Sequence, residues 1–514
     1  MQGINTILRY YFSSRQERLS KIRAEAIHHQ NQWFDYLMEH GARTFFGQEH
    51  GLSADTSYDV FARDVPLHDY ASLVPYFEKI MHGENNVLWD SSIRWMAKSS
   101  GTTAGKSKFI PVSKESLDEN HYLASRDVLT SYCLNHPQTQ LFAGKGLVLG
   151  GSMQSPPEGA TVQVGDVSAI LLNQMPRLGD FLKASSREVL LLPYWEEKLT
   201  LLAQDALYSD ITSLSGVPSW MLLVMKKVLQ LSGKQSLNEV WPHLEVFLHG
   251  GVSFTPYIEE YQKIIPDSKM SYLNMYNASE GFFGFQDQVD SDELLLLSDH
   301  GVFYELLPMT LSGEVSTSGA LVQQRGQVIP LEDAVIEQNY ALIISTLSGL
   351  WRYVIGDTIM FTSTQPYRFR ITGRTTCYIN TFGEELIMDN AEQALRQACN
   401  QTGATVLDYT VAPVFLSGNQ SKACHEWLIE FASPPNETEH FTSILDTALK
   451  AINSDYEAKR SGDLLLQMPL VKIAPKGTFH SWLSYKNKLG GQHKVPRLRN
   501  DRDIIDEIYR VTAL

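Results

Sequence analysis

The sequence predicts an α/β fold in which helices flank a largely parallel β-sheet. Up to about residue 300, apolar runs ending in glycine turns alternate with helix-like segments, as in a parallel sheet whose carboxyl edge binds ligands. Beyond that point, short strands separated by turns predict a barrel or meander. A final segment of roughly 140 residues follows a hinge at residues 371–375. We therefore predict a large domain at residues 1–371 and a small one at residues 372–514.

Composition narrows the class of protein. The 514 residues are 43% hydrophobic and 20% charged, as in a soluble globular protein. A net charge of −15 argues against a nucleic-acid partner, because such partners are bound mainly through neutralised phosphates. No signal peptide, membrane-length apolar run or zinc-type cysteine pattern is evident. These features predict a cytoplasmic protein that has no membrane partner.

The elements can be placed in order along the chain. The first 40 or so residues are predicted to be helical, and the turn at residues 64–70 leads into another helix. A capping box formed by Ser116 and Glu119 predicts the start of a long helix. Two buried strands that end in glycine turns follow at residues 146–152 and 246–252, with a mostly helical stretch at 186–232 between them.

The first candidate site is the stretch KSSGTTAGKSK at residues 98–108, which follows an apolar strand. It contains five hydroxyls, two glycines and three ammonium groups, a combination that suits a bound polyphosphate. A Walker A loop needs four residues between its first glycine and its Gly-Lys pair, whereas three separate Gly101 from Gly105. A P-loop NTPase and a plain surface turn are the alternatives.

The second candidate site is the strand end YLNMYNASEG at residues 272–281. With a nucleotide bound at the first site, Tyr276 would cover the base, Ser279 would bond a phosphate and Glu280 would hold Mg²⁺ through oxygen. In the alternative without function, Tyr276 is a core residue and Glu280 is a solvated turn charge.

A hydrolase is a further alternative for the same strand end. The letters NASEG lie one substitution from the nucleophile elbow Gly-x-Ser-x-Gly, in which Ser279 would be the nucleophile. Asp357 and either His480 or His493 would complete the order Ser, Asp, His. That interpretation leaves the lysine-rich loop without a role.

Two more features suit a nucleotide. Asp357 follows a glycine at the end of the apolar run at residues 349–355, where a carboxylate can accept both ribose hydroxyls or simply form an Asx turn. The segment at residues 485–502 carries six basic residues against one acid, around a Gly-Gly pair. A charge run is usually a solvated face, but this loop could bring Lys494 to a phosphate.

The ordered set SSGTTAGKSK, GGVSF, YNASEG, GLWRYVIGD and GGQHKVPRL resembles the Gretchen Hagen three family of acyl acid amido synthetases, in its bacterial form. That family belongs to the adenylate-forming superfamily. The resemblance implies a large N-terminal domain of β-sheets flanked by helices plus a small β-barrel, and a small mobile C-terminal α+β domain. It also implies a ligase that uses ATP and Mg²⁺ to join a carboxylic acid to an amine, usually of an amino acid, through an acyl adenylate.

The resemblance also implies site residues. Lys108 matches the recurring lysine of the phosphate loop, and Glu280 matches the Mg²⁺ motif and is expected to act in catalysis. Lys494 as the catalytic lysine of the C-terminal domain is our hypothesis, from its basic glycine-rich loop. The expected nucleotide-binding residues are Ser99, Ser100, Gly101, Thr102, Thr103, Gly251, Val252, Tyr276, Ser279, Asp357 and Arg374. Trp220 and Met221 are guesses at the wall of the acyl pocket.

Two other functions fit these motifs. A thioester-forming synthetase would use coenzyme A in place of the amine, and a regulatory protein would bind the nucleotide without turnover. Exchange of pyrophosphate into ATP separates a ligase from a binding protein, and the mass of the product separates the two ligases.

Overall fold

The structure of the protein is a computed structural model. It describes residues 2–103, 106–251, 254, 257–266, 269–289, 291–309, 328–374, 378–379, 386–415, 423–453, 456–457, 460, 466–486, 488, 494–499 and 501–512. Within these ranges, no helix is both long enough and apolar enough to cross a membrane.

Helices surround the sheets. Those of the larger part are α1 (Gln2–Ser13), α2 (Gln16–Ala24), α3 (Ala26–Gly41), α4 (Phe45–Glu49), α5 (Tyr58–Asp64), α6 (Tyr70–Met81), α7 (Lys114–Ser116), α8 (Tyr122–Asn135), α9 (Val167–Gln174), α10 (Arg187–Leu190), α11 (Trp195–Leu207), α12 (Pro218–Ser232) and α13 (Ile258–Ile264). Those after residue 374 are α14 (Met388–Thr402), α15 (Thr438–Ile452), α16 (Thr478–Tyr485) and α17 (Asp503–Thr512).

In the described part of the chain, the strands fall into four sheets. They are β1 (Trp95–Thr103), β2 (Lys106–Val112), β3 (Lys145–Val148), β4 (Met153–Gln154), β5 (Gln163–Gly165), β6 (Ile211–Gly216), β7 (Val246–Gly250), β8 (Ser271–Asn277), β9 (Phe282–Phe285), β10 (Leu294–Leu296), β11 (Val302–Pro308), β12 (Ile329–Pro330), β13 (Asn339–Thr346), β14 (Tyr353–Thr364), β15 (Tyr367–Arg374), β16 (Tyr378–Ile379), β17 (Leu386–Ile387), β18 (Thr405–Phe415), β19 (Ala423–Ser433) and β20 (Leu470–Ala474).

The largest sheet is parallel in one half and antiparallel in the other. Its order over the described residues is β12-β11-β13-β14-β15-β10-β9-β8-β7-β6-β3. Strands β3, β6, β7 and β8 are parallel neighbours, as the alternation of strands and helices predicted. The remaining strands of this sheet pair antiparallel.

The antiparallel half curls strongly. Strands β15, β10 and β9 separate β14 from β8, so a flat sheet would place β14 and β8 about 19 Å apart at the usual spacing of about 4.8 Å. Yet Tyr276 Oη on β8 lies 2.5 Å from Asp357 Oδ2 on β14. Only a sheet that bends back on itself allows that contact, in agreement with the small barrel expected in this part of the chain.

The lysine-rich stretch forms a β-hairpin. Strands β1 and β2 pair antiparallel, with Ser99 opposite Lys108, in a second sheet of order β2-β1-β5-β4. A Walker A loop joins a strand to a helix, so the P-loop NTPase alternative is wrong. The predicted strand also runs further than expected, because residues 98–103 continue it instead of forming an open loop.

Two local predictions need correction. The long helix begins at Lys114, not after Ser116, because Ser113 is the N-cap and its hydroxyl accepts a hydrogen bond from Ser116 N. The stretch at residues 186–232 is mostly helical, as predicted, but the prediction omitted a strand, because Ile211–Gly216 forms β6 between β3 and β7. This short apolar run has no periodicity that distinguishes a buried strand from a helix.

The apolar core consists of several clusters, and one of them packs the hairpin against the large sheet. One apolar cluster combines Trp95, Met96 and Ile110 of the hairpin with Tyr276 and Phe369 of the large sheet. A second cluster lies among α11, α12 and α13, and two more lie wholly after residue 378. The domain boundary at residues 371–372 stays a prediction, because residues 375–377 and 380–385 lie outside the described residues.

A buried carboxylate fastens the N-terminal helices to α8. Asp127 of α8 is fully buried and accepts hydrogen bonds from Arg15 at 2.7 Å and Arg18 at 2.9 Å, and its Oδ2 lies 3.1 Å from His300 Nε2. Burial alone would raise the pKa of Asp127, but His300, Arg15 and Arg18 together lower it to about 2 from its usual 3.8. The ionised carboxylate is therefore favoured in the folded state.

The sign of this shift gives a pH prediction. A carboxylate whose pKa is lower in the folded state stabilises fully above its unfolded pKa, and this stabilisation disappears as the pH falls through the folded pKa. We expect wild type to be more stable than Asp127→Asn by about 2 kcal/mol or more above pH 4, and this difference to shrink between about pH 4 and pH 2. Urea unfolding midpoints of both proteins across this range measure it. Asp292→Asn, which alters an exposed carboxylate, is the control and should show no such trend.

Candidate active site

The carboxyl ends of the parallel strands form one edge lined by turns. The neighbouring strands β6, β7 and β8 end at Gly216, Gly250 and Asn277. A Cβ atom on Gly250 would lie 2.3 Å from Met275 O, so only glycine allows β7 to end this close to β8. Gly251 has φ +81, a left-handed conformation that glycine adopts without strain. The predicted glycine turn is therefore required by the backbone.

Two sequence-predicted nucleotide residues contact each other at this edge. Tyr276 Oη donates to Asp357 Oδ2 at 2.5 Å, and both residues are buried. Asp357 lies directly opposite Arg374 on β15, although the side chain of Arg374 is outside the described part. Asp357 is thus bonded to a tyrosine, and His480 is exposed on α16. His493 lies outside the described residues, so the hydrolase alternative stays a prediction.

Lys494 reaches the same edge from the C-terminal part of the chain. Its Nζ lies 3.8 Å from the position that a Cβ atom would occupy on Gly251. Gly251 also has Val217, at the start of α12, as a close neighbour. Lys494 of the C-terminal segment therefore lies beside the turn after β7. The preceding residue, Gly250, is the one that packs against β8.

The turn that carries Ser279 and Glu280 is held rigidly. Ala278 N donates to Gly281 O at 2.8 Å, which closes the turn. Asn120, in the helical turn between α7 and α8, donates to Phe282 O at 3.0 Å and accepts from Phe282 N at 2.7 Å. Ser279 is buried and Glu280 is half-buried. Asn120 therefore fixes the position of the predicted Mg²⁺ residue.

Ammonium groups from both parts of the chain gather near the hairpin. Lys108 Nζ lies 5.5 Å from the ring centroid of Tyr70, whose hydroxyl accepts from Phe109 N. Lys98 Nζ donates to Gln154 Oε1 at 2.7 Å. The pKa of Lys488, in the C-terminal part, is lowered by burial and further by Lys486 and Lys98. Bringing like charges together in this way is costly unless an anion binds among them.

Some predictions cannot be placed. The structure describes residues 99–103 only as part of strand β1, and nothing is described of the side chains of Ser99, Ser100, Thr102 and Thr103. Gly101 lies in the same strand, and Val252 lies outside the described residues. Trp220 and Met221 are buried at the start of α12, where the Trp220 ring packs edge-on to Trp195 at 4.5 Å. Their role in an acyl pocket stays a prediction.

The sequence analysis missed the residues that support this edge. Asn120 and His121 were not singled out. Asn120 and His121 are adjacent polar residues in a helix, and such a pair normally faces solvent. Only their burial, at 2% and 1% exposure, distinguishes them.

Comparison with known proteins supports the motif-based resemblance. Residues 15–270 match the GH3 family N-terminal domain, residues 295–374 the GH3 family central domain, and residues 389–503 the GH3 family C-terminal domain. This chain belongs to the GH3 family. The predicted resemblance is confirmed.

Members of the GH3 family align with nearly the whole chain. Indole-3-acetic acid-amido synthetase GH3.3 of Arabidopsis thaliana is 21% identical, covering 90% of this chain and 87% of the relative. Jasmonoyl--L-amino acid synthetase GH3.5 of Oryza sativa subsp. japonica is 22% identical, covering 90% of each chain. The solved structure of AtGH3.15 acyl acid amido synthetase in complex with 2,4-DB has a TM-score of 0.78 at 16% identity, covering 97% of this chain and 96% of that one. That likeness confirms the predicted fold class.

Proposed function

We propose that this protein is an ATP-dependent acyl acid amido synthetase, which adenylates a carboxylic acid and transfers the acyl group to the amine of an amino acid. The observation that carries this proposal is that residues distant in sequence lie at the ends of two neighbouring strands, β7 and β8. Tyr276 bonds Asp357, and Lys494 reaches the glycine turn of the neighbouring strand. Each had been predicted for the same nucleotide from a separate motif.

Each group has a task in the first step. A carboxylate oxygen of the acid attacks the α-phosphorus of ATP, a P–O bond forms, and the bond to pyrophosphate breaks. The charge on phosphorus and on the departing pyrophosphate needs cations and N–H donors and needs no protein nucleophile. Lys108, Lys494 and the hairpin hydroxyls supply these groups, while Asp357 accepts from the ribose hydroxyls and Tyr276 orients Asp357.

The second step is an acyl transfer. The amine nitrogen forms a bond to the acyl carbon, the bond to AMP breaks with its electron pair leaving on the phosphate, and the nitrogen loses a proton. The two GH3 relatives are named for different acids, indole-3-acetic acid and jasmonic acid. We therefore propose the class of substrate, a small carboxylic acid and an amino acid, and place the reaction in the cytoplasm, where ATP is supplied.

The donor groups suit Mg²⁺. Among the described residues, no group of three or more His, Cys, Asp or Glu side chains could hold a metal without a substrate. A single carboxylate, Glu280, on a rigid turn fits Mg²⁺, which usually binds one or two carboxylates together with substrate phosphates. When bound, Mg²⁺ would neutralise phosphate charge.

The test is acid-dependent exchange of labelled pyrophosphate into ATP, across a panel of carboxylic acids. We expect at least one acid to support exchange, and addition of amino acids to give an amide of the matching mass. Exchange followed by product only with coenzyme A would identify a thioester-forming synthetase instead. Nucleotide binding without exchange for any acid would contradict the proposal.

The Tyr276 hydroxyl should contribute to nucleotide binding. Tyr276→Phe removes the donor that orients the Asp357 carboxylate, and we expect the KM for ATP to rise by about tenfold, since a hydrogen bond to a charged group is worth about 1.5–3 kcal/mol. Tyr272→Phe is the matched control, because Tyr272 lies on the same strand and its buried hydroxyl has no hydrogen-bond partner among the described residues. Equal KM values for both variants would contradict this role of Tyr276.

A further inference from the structure

Helix α13 is fixed to the larger part of the chain beside the turn after β7. Its Tyr261 is fully buried in the apolar cluster that α13 forms with α11 and α12. Tyr261 Oη donates to Pro218 O, at the start of α12, at 2.8 Å. The residue before Pro218 is Val217, the close neighbour of Gly251. A buried tyrosine with a bonded hydroxyl holds its helix firmly, so α13 keeps a fixed position relative to this turn.

A lysine of α13 reaches across to the C-terminal part of the chain. Lys263 Nζ donates to Thr405 Oγ1, on the first residue of β18, at 3.5 Å. Glu260, on the same helix, lies 3.3 Å from Lys263 Nζ and 2.9 Å from Nζ of Lys226 on α12. Thr405 is itself buried. The bond therefore joins a lysine oriented by the larger part to the interior of the C-terminal sheet.

The charge at the other end of α13 also acts on the C-terminal part. Cys399 lies on α14, and burial together with the smaller effect of the Glu259 carboxylate raises the pKa of its thiol to about 12. Glu259 is in the first turn of α13, whereas Lys263 is in its last turn. The C-terminal part thus lies alongside the helix and is not joined to it by one side chain alone.

The segment that carries Lys494 is fastened to the same strand, β18. Thr410 Oγ1 donates to Pro496 O at 2.6 Å. The guanidinium of Arg497 lies over the ring of Tyr409, 4.4 Å from its centroid. Lys494 is only two residues before Pro496, so the position of β18 determines where the lysine side chain begins.

These contacts form a closed path around the site. Lys263 joins α13 to β18, and β18 holds the segment of Lys494. Lys494 Nζ in turn lies 3.8 Å from the position that a Cβ atom would occupy on Gly251. Gly251 contacts Val217, which precedes the residue that Tyr261 holds. A displacement of β18 relative to α13 would therefore move Lys494 away from the turn.

We propose that α13 is the dock that places Lys494 for adenylation, and that Lys263 is a positioning residue which acts through β18. The inference rests on the proposed function, in which Lys494 neutralises phosphate charge. Lys263 has no contact with the nucleotide in this role. Its side chain is 56% exposed, so solvent weakens its bond to Thr405 and the expected effect is smaller than that of losing Lys494 itself.

The test is a double-mutant cycle in acid-dependent pyrophosphate exchange. We expect Lys263→Ala and Thr405→Val each to lower exchange by about 3–10-fold, because each removes the same hydrogen bond. Lys263→Ala combined with Lys494→Ala should be within about twofold of Lys494→Ala alone, because residues that act through one another are not additive. Lys263→Arg keeps a charged donor and should retain exchange within about twofold of wild type. Thr447→Val is the control, because that hydroxyl bonds Ser443 O within α15.

The same cycle in the Kd for ATP with Mg²⁺, measured by calorimetry without acid, does not depend on turnover. Weaker binding by Lys263→Ala and by Lys494→Ala, with the double variant equal to Lys494→Ala, supports the dock even if no acid supports exchange and the proposed function fails. Effects that multiply in the double variant overturn the dock, because Lys263 would then act independently of Lys494. A Lys263→Ala variant that matches wild type in exchange, or in ATP affinity where no acid supports exchange, overturns it as well.

Discussion

Lys494→Ala should lower acid-dependent pyrophosphate exchange by on the order of 10² to 10³-fold, the usual cost of losing one preorganised group that stabilises developing charge. The reason is the position of the side chain. Lys494 is exposed on its own segment, yet its Nζ lies 3.8 Å from the position that a Cβ atom would occupy on Gly251, in the turn after β7. A cation there can neutralise charge at the α-phosphate of a nucleotide whose ribose is held by Asp357.

Two comparisons make this prediction specific. Lys472→Ala removes an exposed lysine from β20 in the same part of the chain and should leave exchange within about twofold of wild type. Lys494→Ala supplied with preformed acyl adenylate should be less impaired in forming amide than in exchange, because the second step breaks the bond between the acyl carbon and oxygen and breaks no bond to phosphorus. Exchange by Lys494→Ala at the parent rate would show that this lysine has no role in adenylation.

Arg352→Ala should destabilise the large domain by about 3–5 kcal/mol, the usual cost of removing one partner of a buried ion pair. The guanidinium is fully buried and binds both oxygens of Glu305, at 2.9 Å and 3.0 Å. It also donates to Ala62 O and Val65 O, so it joins the α5 region to β11. Burial raises the pKa of Glu305 and Arg352 opposes this, so the variant would leave an unpaired acid in the core.

Urea unfolding followed by tryptophan fluorescence measures this loss, because Trp351 is adjacent and fully buried. The control is Arg370→Ala, whose pair with Asp292 has side chains that are 43% and 75% exposed. Such surface pairs contribute about 0–1 kcal/mol. If the two variants unfolded at the same urea concentration, the buried pair would not be the anchor that we describe.

The motifs named candidate site residues, but they did not predict how these residues are arranged in space. Tyr276 and Asp357 were each identified from an apolar run that ends in a turn, and they lie 81 positions apart. The contact between them depends on the curl of β9, β10 and β15, which no local pattern encodes. In the same way, residues 98–103 have the composition of a loop but continue β1, where Lys98, Ser99 and Thr103 pair with β2.

Three other features of the structure, strand β6 and the buried residues Asn120 and His121, leave no recognisable pattern in the sequence. β6 was missed because a six-residue apolar strand between two helices has no period of its own. Asn120 and His121 were missed because a polar pair in a helix predicts an exposed face, and the π-turn turns that face inward.

The sequence by itself determined the family, the order of the elements and the chemical groups available to a nucleotide. These follow from residue type and spacing along the chain, which are local properties. The tertiary structure alone decided which of these groups meet: Tyr276 with Asp357, and Lys494 with Gly251. Such contacts depend on sheet curvature and on the packing of segments distant in sequence, which arise from many weak interactions summed over the whole fold.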